Sequence, residues 1–100
     1  MILRLIVYDI ENDNYRTKLA NKLEAFGFVR LQYSVFCGRH TVVQWQKVWK
    51  KIKEFEKKYG MPNDKIYATI ISPANFKKME AIGEKPNFEL ILDELITVWM

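Results

Sequence analysis

The chain has 100 residues, 49% of them hydrophobic, which fits one domain with a modest core and excludes an intrinsically disordered chain. A single cysteine, Cys37, excludes an internal disulfide and suits a reducing cytoplasm. The net charge of +4 is unevenly spread: residues 1–79 carry 15 basic and 7 acidic side chains, residues 80–100 only 1 and 5. That split points the basic body at a polyanionic partner or serves solubility alone.

The N-terminus starts as a strand without a basic leader, so no signal peptide is expected, and the apolar runs are too short to span a bilayer. The first predicted element is a buried strand, Ile2 to Tyr8, leading into Asp9. Asn12 or Asp13 can cap the helix that follows. Tyr15, Leu19, Leu23 and Phe26 form its core-facing stripe, and Gly27 ends it in the left-handed conformation. "FVRLQYSVFCG", residues 28–38, alternates. Val29, Leu31, Tyr33, Val35 and Cys37 share one face, and Arg30, Gln32, Ser34 and Phe36 share the other. The second of these faces suits an exposed surface or a partner interface, and the strand can bend in two near Ser34.

Thr41 and Gln44 have the spacing of a capping box. Trp45, Val48, Trp49, Ile52, Phe55 and Tyr59 form the apolar stripe of the second helix, and Lys47, Lys50, Lys51, Lys53, Lys57 and Lys58 cover much of the rest. Residues 65–71 read as a strand, 73–87 as a loop, and "NFELILDELITVWM" as a last strand alternating at Phe88, Leu90 and Leu92. The apolar Val98, Trp99 and Met100 that end it should dock on the sheet or on a second copy. The whole is an α+β, ferredoxin-like split βαβ sandwich, 1–100 in one domain. Both helices would cover one face and leave the other for a partner. Residues 79–100 form an acidic C-terminal loop and strand expected to dock on the partner protomer.

The chain holds no glycine-rich phosphate loop, no zinc-ligand spacing and no Ser/His/Asp set. His40 reads as an exposed turn residue beside Arg39, and Cys37 as a small buried hydrophobe. Asp9 is the sharper signal. Phosphodiester cleavage commonly uses Mg²⁺, which often takes only one or two protein carboxylates. One aspartate per chain is doubled by a two-fold dimer. On spacing alone the plainer reading is that Asp9 caps the turn or pairs with Arg16. The lysine face of the second helix suits phosphate contacts or plain solvation. Trp45 and Trp49 read as core.

"LIVYDI" in the first strand, a basic first helix containing Arg16, and "GFVRLQYSVFCG" together resemble the CRISPR-associated protein 2 family over essentially the whole chain. The resemblance implies a homodimer and a Mg²⁺ site at the dimer interface made by Asp9 of both chains. It implies either a metal-dependent endonuclease, cutting single-stranded RNA or double-stranded DNA, or a non-catalytic DNA scaffold for the CRISPR integrase subunit of the spacer-acquisition complex. By position, Tyr8 and Asp9 match the strand-end motif, Arg16 and Arg30 the basic positions near the site, and Ser34 and Phe36 the segment that shapes it. Lys50 and Lys51 are further candidates for nucleic-acid contact. A toxin-like ribonuclease on the same fold is a third reading. The chain departs from the family where Cys37 follows "SVF", a position often acidic there.

Overall fold

The computed structural model describes residues 1–84 and 86–98. Strands β1 (Ile2–Asp9), β2 (Val29–Gln32), β3 (Val35–His40) and β4 (Lys65–Ile70) form one antiparallel sheet in the order β2-β3-β1-β4. Helix α1 (Asp13–Ala25) joins β1 to β2, and α2 (Val42–Tyr59) joins β3 to β4. This is the ferredoxin-like topology expected. The short α3 (Pro73–Lys77) and α4 (Phe88–Val98) follow. No helix among the described residues is long and apolar enough to cross a membrane.

Local chemistry sets the helix ends. The Asn12 side chain accepts from the Tyr15 N–H at 2.9 Å, so Asn12 rather than Asp13 is the cap. Gly27 takes φ 86° after α1, a conformation that costs glycine nothing. Thr41 and Gln44 form the reciprocal capping box of α2, typically worth about 1 kcal/mol. Both helices pack on one face of the sheet. Tyr15, Leu19 and Leu23 of α1 and Val48 and Ile52 of α2 bury Ile6, Tyr8 and Phe36. Trp45 and Trp49 lie partly buried against this core, their rings stacked at 5.5 Å.

The other face is not left bare. A second core joins Leu3 and Cys37 of the sheet to Phe76 of α3 and Phe88, Leu92 and Leu95 of α4. The C-terminal segment is therefore a helix, not the expected strand. Asn87 caps it, its side chain accepting from the Leu90 N–H at 3.0 Å. Phe88, Leu92 and Leu95 are spaced i, i+4, i+7 and are buried, whereas Leu90 is 62% exposed. Alternation required Leu90 to be inside; the helical period places it outside. In this protomer the helix packs on its own sheet; Trp99 and Met100, the apolar end expected to dock, lie outside the described residues. α3 likewise interrupts the expected loop, started by Ser72 as N-cap and Pro73 in its first turn.

Two further expectations are corrected. Alternation places Phe36 on the exposed or partner-facing side, but it is fully buried under α1 and α2. That face of β3 looks into the helix layer rather than outward. His40 is not the exposed turn residue expected: β3 runs on through it and buries it to 1% exposure. Its ring packs on Phe28 at 4.7 Å, and Nε2–H donates to the Phe26 carbonyl at 2.7 Å. Gly38 permits this approach: a Cβ there would lie 2.5 Å from the Phe28 ring and 2.8 Å from His40 Cε1. Burial lowers the His40 pKa, and the charge of Arg4 lowers it further against the opposing bond to Phe26.

Candidate functional site

Side chains alternate across a strand, so β1 sends Tyr8 and Asp9 to opposite faces at its C-terminal end. Tyr8 points into the helix-covered core at 4% exposure, its ring stacked on Phe36 at 6.0 Å and 19°. Its hydroxyl reaches toward the Tyr33 carbonyl at 3.5 Å. Burial raises the Tyr8 pKa more than the neighbouring Arg30 and Arg16 lower it, so the phenol keeps its proton at neutral pH.

Arg30 and Arg16 meet around this hydroxyl. The Arg30 guanidinium lies 5.0 Å from the Phe36 ring centroid and 5.8 Å from that of Tyr33. Arg16 lies 5.8 Å from the Tyr33 ring on its own side. Tyr8, Arg16, Arg30 and Tyr33, with Ala20 and Asn21 of α1, line a small open cleft of about 140 Å³. Phe36 lies buried beneath the Tyr8 and Arg30 side chains and lines no part of the cleft itself. Ser34 contributes through its backbone, its carbonyl accepting from the Tyr8 N–H at 3.1 Å. This bond ties the β2–β3 turn to the end of β1.

Arg16 is not a free cation. Its Nη1 donates to the Ile10 carbonyl at 2.7 Å and the Glu11 carbonyl at 3.1 Å, and Nη2 pairs with Asp13. The guanidinium thus clamps the loop that leaves Asp9. Its Nε is buried and has no hydrogen-bond partner among the described residues.

Asp9 stands apart from the cleft. It is exposed and shares its face with Val7 and Leu5, the face opposite Tyr8. α3 and α4 cover the Leu3 end of this face. The Asp9 end stays open, with Val7 40% and Tyr67 65% exposed and paired in register. Lys65 stands opposite Asp9 on β4. The structure therefore brings together Tyr8, Arg16, Arg30 and Phe36 but leaves Asp9 on the other side of the sheet. Lys50 and Lys51 lie on α2 and line no part of the cleft. Lys50 is exposed, and Lys51 is paired with Glu54 at 3.5 Å. Among the described residues no group of three or more His, Cys, Asp or Glu could hold a metal ion. Cys37 is fully buried, and burial pushes its thiol pKa up to about 12, which fits the reading as a small hydrophobe.

Sequence reasoning missed Tyr33, which it assigned to the inward face. The register shifts between Arg30 and Gln32, so the alternation breaks and Tyr33 leaves the sheet at 68% exposure. The available signal was the bend already suspected at Ser34.

The fold and this cleft define a small ferredoxin-like protein with a basic, aromatic surface. The comparisons narrow the class. Residues 1–79 match the family model described as CRISPR associated protein Cas2, and the chain belongs to that family. It is 31% identical over 86 residues to "CRISPR-associated endoribonuclease Cas2 3" of Synechocystis sp., covering 86% of this chain and 89% of that protein. A protein of Archaeoglobus fulgidus, "CRISPR-associated endoribonuclease Cas2 1", is 54% identical over 37 residues, but this takes in only 37% of this chain and 39% of that one. Among solved structures, a chain of a partial Cas6-RT-Cas1–Cas2 complex superimposes with a TM-score of 0.71 at 26% identity, over 82% of this chain and 91% of that one. Cas2 of Streptococcus pyogenes gives 0.69 at 17% identity, over 82% and 100%, which is a likeness of fold.

Proposed function

We propose that this protein acts in CRISPR spacer acquisition as a homodimeric, Mg²⁺-dependent endonuclease on RNA or duplex DNA, with Asp9 of each chain supplying the metal ligands. The observation that carries this reading is the open Asp9 end of the sheet. An exposed carboxylate sits beside the exposed Val7 and Tyr67, where docking of a second copy would bury apolar surface and set its Asp9 nearby. A hard carboxylate oxygen suits Mg²⁺, which keeps waters in its remaining positions. Bound there, the ion would stabilise charge on the scissile phosphate and activate water. Arg30 would meet phosphate oxygens, with Arg16 holding the loop behind Asp9. The relatives named endoribonucleases support the activity, and the complex containing Cas1 supports an integrase subunit as partner. A nucleic-acid substrate of this kind places the function in the cytoplasm.

A second reading is a DNA-binding scaffold for that integrase. It is favoured by the separation of Asp9 from the arginine cleft and by the exposed lysines of α2. One experiment separates the two. Labelled single-stranded RNA and duplex DNA are incubated with wild type and Asp9→Asn, in Mg²⁺ or EDTA, after sedimentation has confirmed that both are dimers. Mg²⁺-dependent cleavage lost in the variant supports the nuclease. Absence of cleavage, with equal duplex binding that weakens in salt and on neutralising Lys50 and neighbouring lysines, sinks it in favour of the scaffold. Monomers at all concentrations would remove the shared metal site itself.

A further inference from the structure

Two aromatic side chains among the described residues are more than half exposed, Tyr67 at 65% and Tyr33 at 68%. Tyr67 lies on the open Asp9 end of the sheet, where docking of a second copy accounts for it. Tyr33 lies on the opposite side, in the turn between β2 and β3, and its exposure has no such explanation.

Its surroundings are specific. The guanidiniums of Arg16 and Arg30 each lie 5.8 Å from its ring centroid. At that distance they can hold the ring by cation–π attraction, yet neither covers it as closely as Arg4 covers Trp45 at 4.6 Å. Both arginines are themselves anchored, Arg16 on the Ile10 and Glu11 carbonyls and Arg30 over the buried Phe36 ring. The turn is tied down through the Tyr8 N–H to the Ser34 carbonyl. The ring is therefore positioned before any ligand arrives, and less conformational entropy is lost on binding.

We propose that Tyr33 is a stacking platform for an unpaired base, with Arg30 facing the adjoining phosphate, so that this cleft selects single-stranded nucleic acid over duplex. This deepens the nucleic-acid reading above and rests on it. The physical ground is that a base inside a duplex already has both faces covered by its neighbours. Only an unpaired base offers a free face to the ring, and stacking of that kind tolerates any sequence. RNA and DNA strands share this chemistry, so both serve as probes.

The test is binding in EDTA, where cleavage plays no part. Fluorescein-labelled 12-nucleotide oligo(U) and oligo(dT) are titrated against wild type, Tyr33→Phe, Tyr33→Leu and Tyr33→Ala, with closed circular duplex DNA, which has no ends to stack, as competitor. The Tyr33 carbonyl contacts survive in every variant, and circular dichroism checks the fold. Stacking predicts roughly 5- to 150-fold weaker binding of one or both oligonucleotides by Tyr33→Ala and Tyr33→Leu. Tyr33→Phe should bind as wild type does, and duplex competition should be the same for all four. Full affinity in Tyr33→Leu, or equal losses on strand and duplex, would overturn the proposal while leaving nucleic-acid binding intact. Failure of wild type to bind any of the three probes would overturn the functional reading together with it.

Discussion

Replacing Arg16 by lysine asks whether this cation meets a phosphate or holds the protein together, because lysine keeps the charge and loses the planar fork. In the structure one nitrogen of that fork serves two carbonyls, at 2.7 Å and 3.1 Å, and the other pairs with Asp13. The Asp13 side chain is 86% exposed, so the ion pair adds at most about 1 kcal/mol. The carbonyl bonds from a side chain only 24% exposed carry more, about 1.5–3 kcal/mol for a hydrogen bond made by a charged group. Arg16→Lys should therefore lose about 2 kcal/mol, a fall in Tm of roughly 8–16 °C for a domain of this size at equal protomer concentration. Urea unfolding measures the loss. Hydrogen exchange at the amides of residues 11–14 should show the loop opening before the rest of the domain. The salt dependence of nucleic-acid binding supplies the counter-test. A phosphate contact predicts that Arg16→Lys binds and folds as wild type does, while Arg16→Ala lowers the salt slope by about one. That pattern would refute the clamp.

Three other outcomes are expected. Gly38→Ala should destabilise by about 1–3 kcal/mol through overpacking against Phe28 and His40. Adding Phe28→Leu should recover part of the loss, and strict additivity in a urea-denaturation cycle would argue against the contact. His40, with its folded pKa below 6.5, leaves the unfolded chain binding more protons, so its effect is absent well above pH 6.5 and destabilises the fold as pH falls through 6.5 toward the folded value. An NMR titration of its ring should give a midpoint below 6.5, and a midpoint above would reverse the sign. Leu92→Asp should detach α4 and expose Cys37, whose thiol otherwise resists alkylation at pH 8. Unchanged alkylation would mean that α4 does not shield it.

The sequence made some features legible because local chemistry decides them alone. The stripes and caps of α1 and α2, the stop at Gly27 and the arrival of Asp9 at a strand end needed no tertiary information. Other features depend on it. Phe88 and Leu92 fit both a strand and a helix, and only Leu95, together with the cap at Asn87, breaks the tie. The alternating stretch runs out at Gly38, which hides the extent of β3; that glycine is the residue that lets the strand pass Phe28 and carry His40 inside. Alternation along β1 was enough to separate Asp9 from Tyr8. It conflicts with the intuition that an acid and a nearby arginine share one phosphate. The commitment of Arg16 to backbone carbonyls could not be read from composition, since any basic residue in a first helical turn looks available for a ligand.

The two sides of β1 carry different equipment. A nucleotide resting on Tyr33 and Arg30 would lie on the side of the sheet opposite the Asp9 carboxylate. Whatever engages both must travel over the tip of the strand and past the loop that Arg16 fastens. In that arrangement a fragment's length would decide whether one strand held at Tyr33 also reaches the acid.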